Sequence, residues 1–213
     1  MYNVEKRIID MIVSTVMIIL FSPIMLAIAI AIKMTSKGPV FADTPKRVGF
    51  GGKAFYMFKF RSMYQDSYYL IRKDPKYKEV FEKYKANSYK LSVEEDPRIT
   101  PLGKFIRKTS LDELPQFLNV FRGEMSIVGP RAYFPEELRD QAEKYPKSKK
   151  MIRNTLAAKP GITGPWQTGG RNDISFFQRI KMDSYYAKRK SILYDVRMMF
   201  ITPFTVLARK GTI

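Results

Sequence analysis

An apolar segment of membrane length near the N-terminus constrains this 213-residue chain more than any other feature. Residues Met11 to Ile32 carry no charged side chain. As one straight helix, these roughly 22 residues would be about 33 Å long, and a membrane hydrocarbon core is about 30 Å thick. The segment differs from a typical signal peptide because Lys33 follows the apolar run directly. We therefore expect a retained membrane helix within residues 1–36.

The pattern of this segment fits a helix that enters one leaflet and returns, and it also fits a proline-kinked helix that spans. Basic residues flank both ends, with Lys6 before the apolar run and Lys33 after it, so the positive-inside rule favours neither orientation of a straight span. Ser22 and Pro23 lie near the middle. Proline frees a backbone carbonyl that lipid cannot satisfy, and the neighbouring hydroxyl can relieve it. We expect a kink at Ser22 and Pro23.

Composition limits the chemistry that is available. The chain contains no histidine and no cysteine, which excludes an imidazole base, a thiolate nucleophile and the usual nitrogen and sulfur zinc sites. Carboxylates can still attack covalently or hold Mg²⁺, and arginines can bind phosphate. The formal net charge of +18 indicates an anionic partner, such as nucleic acid, a phosphorylated ligand or an acidic membrane surface.

Two adjacent carboxylates, Asp112 and Glu113, are the strongest candidates for chemistry. They lie in the stretch SLDELPQFLNVFRGEMSIVGPR, residues 110–131. A structural alternative is a capping box, in which Ser110 and Glu113 satisfy free amides at the start of a helix. Pro115 favours a helix that begins just before it, because proline is tolerated in a first turn. Both interpretations place the carboxylates at a helix N-terminus. The sequence leaves open whether the two residues cap the helix or form a catalytic pair.

Local patterns predict short strands and several helices. Glycines between residues 38 and 63 predict a turn between two strands, and residues 125–128 read as a short buried strand. Asp74-Pro75 is typical of a helix start, and the following helix has one apolar face that packs in the core or lies on a membrane. Residues 159–172 are rich in glycine and proline and predict a loop. From Ser175 onward the pattern is helical and basic, as expected of interfacial amphipathic helices.

Basic residues near these turns are candidates for phosphate binding. Lys59 and Arg61 lie in an alternating segment, where a solvated basic strand edge is the alternative. Arg131 follows Gly129-Pro130 at the end of a predicted strand, a common place for binding residues. Gly169-Gly170-Arg171 could bring backbone amides and a guanidinium to phosphate, although a structural turn is the alternative.

Several long motifs, in order along nearly the whole chain, carry a family resemblance. They are the Ser22-Pro23 helix, KFRSM (59–63), DPRITPLGKFIRKTSLDELPQ (96–116), SIVGPR (126–131) and KPGITGPWQTGGRN (159–172). With these motifs the chain resembles the bacterial sugar transferases of the monotopic phosphoglycosyl transferase superfamily, in a minimal catalytic form. One departure is Ala132, which stands where the family commonly has proline after Gly-Pro-Arg, so the turn is less rigid.

The resemblance implies transfer of a sugar 1-phosphate from a UDP-sugar to undecaprenyl (polyprenyl) phosphate, with UMP as the other product, as the first membrane step of glycan assembly. Asp112 would attack the sugar-proximal phosphorus and form a phosphosugar intermediate, which then passes to the lipid. Glu113 would help to place Mg²⁺ or position the attack, so the expected metal ligands are Asp112 and Glu113. The residues that the resemblance assigns to phosphate or nucleotide binding are Arg107, Arg131, Arg171, Lys59, Arg61 and Gln167.

The expected fold class is α+β, with a re-entrant membrane helix in residues 1–36. A small, mainly helical cytosolic catalytic domain with short strands and interfacial amphipathic helices would follow in residues 37–213. The expected location is the cytoplasmic face of the bacterial inner membrane. The sequence leaves open whether the chain forms a homo-oligomer. The alternative function is a non-catalytic, basic membrane-surface adaptor in which Asp112 and Glu113 only cap a helix. A nucleic-acid binder would suit the net charge, but the membrane-length segment argues against nucleic acid as a partner.

Overall fold

The computed structural model describes residues 1–43, 45–87, 91–168 and 174–207. Its helices in chain order are α1 (Tyr2–Thr35), α2 (Ser67–Lys73), α3 (Lys78–Ala86), α4 (Pro101–Lys108), α5 (Gln116–Arg122), α6 (Pro135–Lys144), α7 (Ser148–Thr155), α8 (Pro165–Thr168), α9 (Phe176–Arg189) and α10 (Ile192–Leu207). Its strands are β1 (Arg47–Val48), β2 (Ala54–Phe55), β3 (Ser126–Val128) and β4 (Gly161–Thr163). The predicted mixed fold, rich in helix with a few short strands, is confirmed.

The strands form two small pairs. β1 and β2 pair antiparallel, with Arg47 opposite Phe55, and the glycine turn predicted between them is present as a short 3₁₀ segment, Phe50–Gly52. β3 and β4 pair parallel, with Ser126 opposite Gly161. The prediction of a loop over residues 159–172 is wrong for its first half, which forms β4 and α8. Pairing with β3 supplies the backbone hydrogen bonds of β4. The local glycine and proline content does not predict this pairing.

The chain divides into two units, each with its own core. The dyad unit comprises the described parts of residues 21–44 and 58–115, and the sheet unit comprises residues 1–20, 45–57 and the described residues from 116 onward. The domain boundary expected near residue 36, between the membrane helix and the catalytic domain, stays a prediction. In the sheet unit, Tyr133, Leu138, Phe176 and Ile180 form a buried cluster.

Helix α1 contributes one half to each unit. Among the described residues, it is the one helix long and apolar enough to cross a membrane. It continues through Pro23 as a single helix, so the bend and the re-entrant path stay predictions. Between Thr15 and Ala27 no side chain of α1 is buried, whereas Asp10 and Ser14 on one side of this stretch and Ile28 and Ile32 on the other are. The middle of α1 is therefore its exposed apolar part.

The first turns of α1 are fixed by polar contacts within the sheet unit. The buried carboxylate of Asp10 accepts hydrogen bonds from Ser126 Oγ and the backbone N–H of Ile127, both at 2.9 Å. Arg7 donates to the carbonyls of Val120 and Phe121 at 2.7 Å, in the last turn of α5. These bonds hold the N-terminal end of α1 against β3 and the end of α5.

The other end of α1 packs into the core of the dyad unit. Ile28 and Ile32 are buried with Phe60 and Ile106. The partly buried residues against this cluster include Met25, Ala29, Val40, Leu102, Leu111 and Leu114. Since Leu111 and Leu114 flank the two carboxylates in sequence, this core attaches the Asp112-Glu113 turn directly to α1.

Candidate active site

The two carboxylates lie in a 3₁₀ turn, Leu111–Glu113, that follows α4 and precedes α5. Ser110 adopts the left-handed conformation, with φ of 58°, and its side chain makes no capping hydrogen bond. The capping-box interpretation is therefore wrong, because it requires the Ser110 side chain to accept from the backbone N–H of Glu113. The expectation of a helix N-terminus is also corrected, since the carboxylates sit in the 3₁₀ turn and α5 starts at Gln116.

A backbone hydrogen bond aligns this turn with the segment that carries Lys59. The backbone N–H of Phe60 donates to the carbonyl oxygen of Asp112 at 3.0 Å, and the carbonyl of Lys59 accepts from the N–H of Ala42 at 2.9 Å. The ring of Phe60 is buried in the core that also contacts Leu111. Lys59 is thereby held beside the carboxylates by backbone bonding and core packing together.

Lys59 joins the two carboxylates. Its Nζ lies 2.6 Å from Glu113 Oε1 and 3.6 Å from Asp112 Oδ2. Burial raises the pKa of Asp112, and the neighbouring Glu113 raises it further, whereas the positive charges of Lys59 and Arg107 lower it. The structure thus brings together four of the predicted site residues around a carboxylate that depends on nearby cations to stay ionised.

The donor set suits Mg²⁺. Two carboxylates already converge on one positive charge, the ammonium of Lys59. Mg²⁺ in phosphate-transfer sites commonly uses one or two carboxylates together with water and substrate phosphate oxygens. No cluster of three or more acidic side chains that could hold a metal occurs in the described parts of the chain. Asp112 and Glu113 therefore fit a metal whose remaining ligands come from substrate and water.

Arg61 has a different environment from the one that its predicted role requires. The side chain is buried, and its guanidinium donates to the carbonyl of Ser36 at 2.9 Å and to that of Lys37. These carbonyls follow the last turn of α1, where cations are favoured. The bonding favours a structural role at the end of α1 over the predicted phosphate contact.

Arg131 and Gln167 belong to the sheet unit, where the β3–β4 pair brings their two motifs together. The guanidinium carbon of Arg131 lies 4.9 Å from the ring centroid of Trp166, a cation–π distance. Gln167 donates from Nε2 to the carbonyl of Ile162 at 3.0 Å. Gly129 and Gly161 allow this close pairing, because a side chain on either would overlap the facing backbone. Arg171 lies outside the described residues.

Three buried charged residues near Arg131 were not predicted. Asp183 accepts from the backbone N–H of Arg131 at 3.0 Å and from the Tyr133 hydroxyl at 2.8 Å. Arg179 forms an ion pair with Glu137 at 3.3 Å. The available signal was the position of Arg179 and Asp183 on the same helical face as the apolar Phe176 and Ile180, where charges are rare.

The environment of Asp183 changes its acidity. Burial raises the pKa of Asp183 to about 6, although the backbone N–H of Arg131, the Tyr133 hydroxyl and the charges of Arg179 and Arg131 oppose the rise. A carboxylate in this setting remains ionised at neutral pH because its donors compensate part of the cost of burial.

Comparison with known proteins identifies one family. Residues 1–209 match the family described as bacterial sugar transferase. The chain is 41% identical over 210 residues to the undecaprenyl-phosphate galactose phosphotransferase of Salmonella typhimurium, in an alignment that covers 97% of this chain and 41% of that protein.

Two further relatives show the same similarity. The UDP-glucose:undecaprenyl-phosphate glucose-1-phosphate transferase of Escherichia coli is 37% identical over 215 residues, covering 97% of this chain and 41% of the relative. The exopolysaccharide production protein ExoY of Rhizobium meliloti is 36% identical over 216 residues, covering 99% of this chain and 88% of the relative. The chain thus spans about two-fifths of the Salmonella and E. coli proteins and most of the Rhizobium protein.

Proposed function

The chain belongs to the bacterial sugar transferase family, and we propose that it transfers a sugar 1-phosphate from a UDP-sugar to undecaprenyl phosphate and releases UMP. The observation that carries the proposal is the buried carboxylate of Asp112 beside Lys59, Arg107 and Glu113. A carboxylate of this kind can act as a nucleophile toward phosphorus when cations keep it ionised. The Salmonella and E. coli relatives are named as transferases that act on undecaprenyl phosphate, which supports the same reaction.

In the proposed first step, a carboxylate oxygen of Asp112 forms a bond to the sugar-proximal phosphorus of the UDP-sugar. The bond from that phosphorus to the bridging oxygen breaks, and UMP leaves with the electron pair. In the second step a phosphate oxygen of the lipid attacks the same phosphorus, the bond to Asp112 breaks, and the carboxylate is regenerated. The product is a polyprenyl diphosphate sugar, and the order of release is that of a ping-pong reaction.

The cations around Asp112 have two roles in this scheme. Burial raises the pKa of Asp112, and Lys59 and Arg107 oppose that rise, which favours the ionised nucleophile. The two cations would also offset the negative charge of the diphosphate as it approaches. Asp112 and Glu113 would hold Mg²⁺, which would supply further neutralisation of phosphate charge. The backbone bond between Phe60 and Asp112 keeps these groups aligned before substrate binds.

The exposed middle of α1 supports membrane association. Each end of α1 contacts folded parts of the chain, through Asp10 in the sheet unit and through Ile28 and Ile32 in the dyad unit. The exposed stretch between them, from Thr15 to Ala27, would be roughly 20 Å long as a straight helix, shorter than a hydrocarbon core of about 30 Å. We infer that this stretch enters the cytoplasmic leaflet without crossing the bilayer.

Helix α10 supplies a second apolar surface. Leu193, Phe200 and Phe204 are 72–80% exposed, and their spacing of seven and four residues places them on one helical face. Arg197 is exposed between them. A face of this composition suits the membrane interface, and an enzyme whose acceptor is a membrane lipid benefits from such contact.

The adaptor alternative has less support. It requires Asp112 and Glu113 to act only as a helix cap, and Ser110 makes no side-chain capping bond in this turn. It also does not explain why Asp112 is buried beside two cations, and an explanation is needed because burying a charge costs free energy.

The direct test is release of UMP by the full chain in lipid nanodiscs, with a panel of UDP-sugars, undecaprenyl phosphate and Mg²⁺. We expect UMP with at least one sugar, and we expect excess EDTA to abolish release and added Mg²⁺ to restore it. A control variant, Asp96→Asn, removes another buried carboxylate of the dyad unit, which pairs with Arg98. The rate of UMP release per folded molecule of this variant should equal that of the wild type. Full activity in EDTA would contradict the proposed requirement for Mg²⁺. Absence of UMP with every UDP-sugar tested would contradict the proposed function.

A further inference from the structure

The inward face of α9 carries two charged residues that the proposed reaction does not use. Arg179 is 1% exposed and Asp183 is fully buried. Removing a charged group from water costs several kcal/mol unless partners compensate. Their contacts therefore indicate what they contribute.

Asp183 holds the backbone immediately after β3. Its Oδ2 accepts from the N–H of Arg131 at 3.0 Å and from the hydroxyl of Tyr133 at 2.8 Å. Its other oxygen, Oδ1, is buried without a hydrogen-bond partner among the described residues. One carboxylate oxygen thus fixes both ends of a three-residue stretch that begins with Arg131.

The side chain of Arg131 shares one aromatic ring with Arg179. Their guanidinium carbons lie 4.9 Å and 5.8 Å from the centroid of Trp166. Two like charges at one indole repel. Burial lowers the pKa of Arg179, and the charge of Arg131 lowers it further. The carboxylate of Glu137, which pairs with Arg179 at 3.3 Å, and that of Asp183 balance the two cations.

We propose that Asp183 is a positioning residue, which holds the backbone of Arg131 so that its guanidinium stays on Trp166 and binds the UDP-sugar. The proposal rests on the proposed function, because the UDP-sugar is the substrate proposed there. Ala132 lies between the two residues that Asp183 holds, and alanine does not restrict its own backbone φ angle as a proline would. The hydrogen bonds from Arg131 and Tyr133 to Asp183 therefore fix the backbone here.

The test compares three variants of the full chain. Asp183→Ala removes the acceptor for Arg131, whereas Asp183→Asn keeps an oxygen in the same place. Ser184→Ala is the matched control, because Ser184 is the next residue of α9, is buried, and accepts from Asn154 without contacting Arg131. Two readouts apply: the kcat and KM for the UDP-sugar that the wild type uses, and a titration with UDP followed by intrinsic fluorescence. Trp166 is the only tryptophan of the chain, so the fluorescence reports on this ring.

We expect Asp183→Ala to raise KM and the half-saturating UDP concentration about tenfold, the effect of losing one charge-assisted bond, with kcat within twofold. A loss of uniform binding has this signature. Asp183→Asn should stay within threefold of wild type and Ser184→Ala within twofold. A purely structural role would lower the melting temperature of Asp183→Ala without a selective rise in KM.

The inference is overturned if KM and the UDP titration of Asp183→Ala stay within twofold of wild type, or if Ser184→Ala changes them as much. Its failure is distinguishable from failure of the proposed function. Wild-type protein that responds to UDP but releases no UMP contradicts the function and leaves the titration to decide on Asp183. Wild-type protein that neither releases UMP nor responds to UDP contradicts both.

Discussion

Asp112 and Glu113 are neighbours in sequence, but their surroundings differ. The side chain of Asp112 is 7% exposed, whereas that of Glu113 is 39% exposed. A nucleophile gains from burial, because fewer water molecules have to leave it before it attacks. A residue that helps to hold a hydrated metal gains from access to solvent. The difference suits Asp112 to the proposed covalent role and Glu113 to the solvent side of the proposed Mg²⁺ site.

Lys59 offers a test of this arrangement. Because its charge lowers the pKa of Asp112, Lys59→Met should raise that pKa further. Asp112 must be ionised to attack, so the acidic limb of the pH profile of kcat/KM should move to higher pH. The rate should fall more at pH 6 than at pH 9. Lys59→Arg, which keeps the charge, should leave the limb near its wild-type position, and a Lys59→Met profile that superimposes on wild type would refute the electrostatic role.

Among the elements, α4 sets the position of the dyad turn. Thr100 caps α4 by accepting from Gly103 N at 2.9 Å, and its own N–H donates to the carbonyl of Ser62 at 3.0 Å. A side chain on Gly103 would overlap that carbonyl and lie 2.8 Å from Thr100 Oγ1. The start of α4 thus packs directly on the segment that follows Lys59.

We expect Gly103→Ala to destabilise the chain by about 2 kcal/mol or more and to reduce activity, since it forces α4 away from Ser62. Thermal and denaturant unfolding measure the first effect and UMP release the second. Lys104→Ala is the control on the next residue, whose exposed ion pair with Glu94 is worth under about 1 kcal/mol. Equal stability of the two variants would show that the close approach does not matter.

Sequence patterns predicted the elements whose signals are local. The apolar run gave α1, the glycine turn gave the β1–β2 hairpin, and the pattern after Ser175 gave α9 and α10, with Ser175 and Gln178 forming a capping box. β4 was missed because its strand depends on pairing with β3, a contact distant in sequence. The capping box at Ser110 was wrong because Ser110 adopts the left-handed conformation and its side chain makes no capping bond.

Some residues of the candidate site could be predicted from the sequence, and others could not. The carboxylate pair and Lys59, Arg107 and Arg131 could be chosen from residue type and motif. The phosphate-binding role predicted for Arg61 stays a prediction, and its bonds to the end of α1 could not be predicted because they arise only in the folded chain. Asp183 was missed for the same reason, since its partner Arg131 lies 52 residues away.

At the scale of the whole molecule, the proposed re-entrant path predicts that both ends of α1 lie on the cytoplasmic side of the membrane. The chain has no cysteine, so introduced cysteines at exposed positions can be labelled without background. Asn3→Cys, Lys37→Cys and a reference, Lys149→Cys, should all react with an impermeant maleimide from the cytoplasmic side. Reaction of Asn3→Cys from the opposite side would show instead that α1 is an ordinary transmembrane helix.

The central claim is a covalent phosphosugar on Asp112, and intact-protein mass spectrometry tests it most directly. Wild-type protein incubated with Mg²⁺ and its UDP-sugar, without lipid acceptor, should gain the mass of one sugar phosphate, and undecaprenyl phosphate should then remove it. Asp112→Asn, which keeps the size of the side chain but is a poor nucleophile, should fold and gain no mass. Retention by Asp112→Asn of more than about a tenth of the wild-type rate, or lipid product from wild type without any adduct, would contradict the covalent role of Asp112.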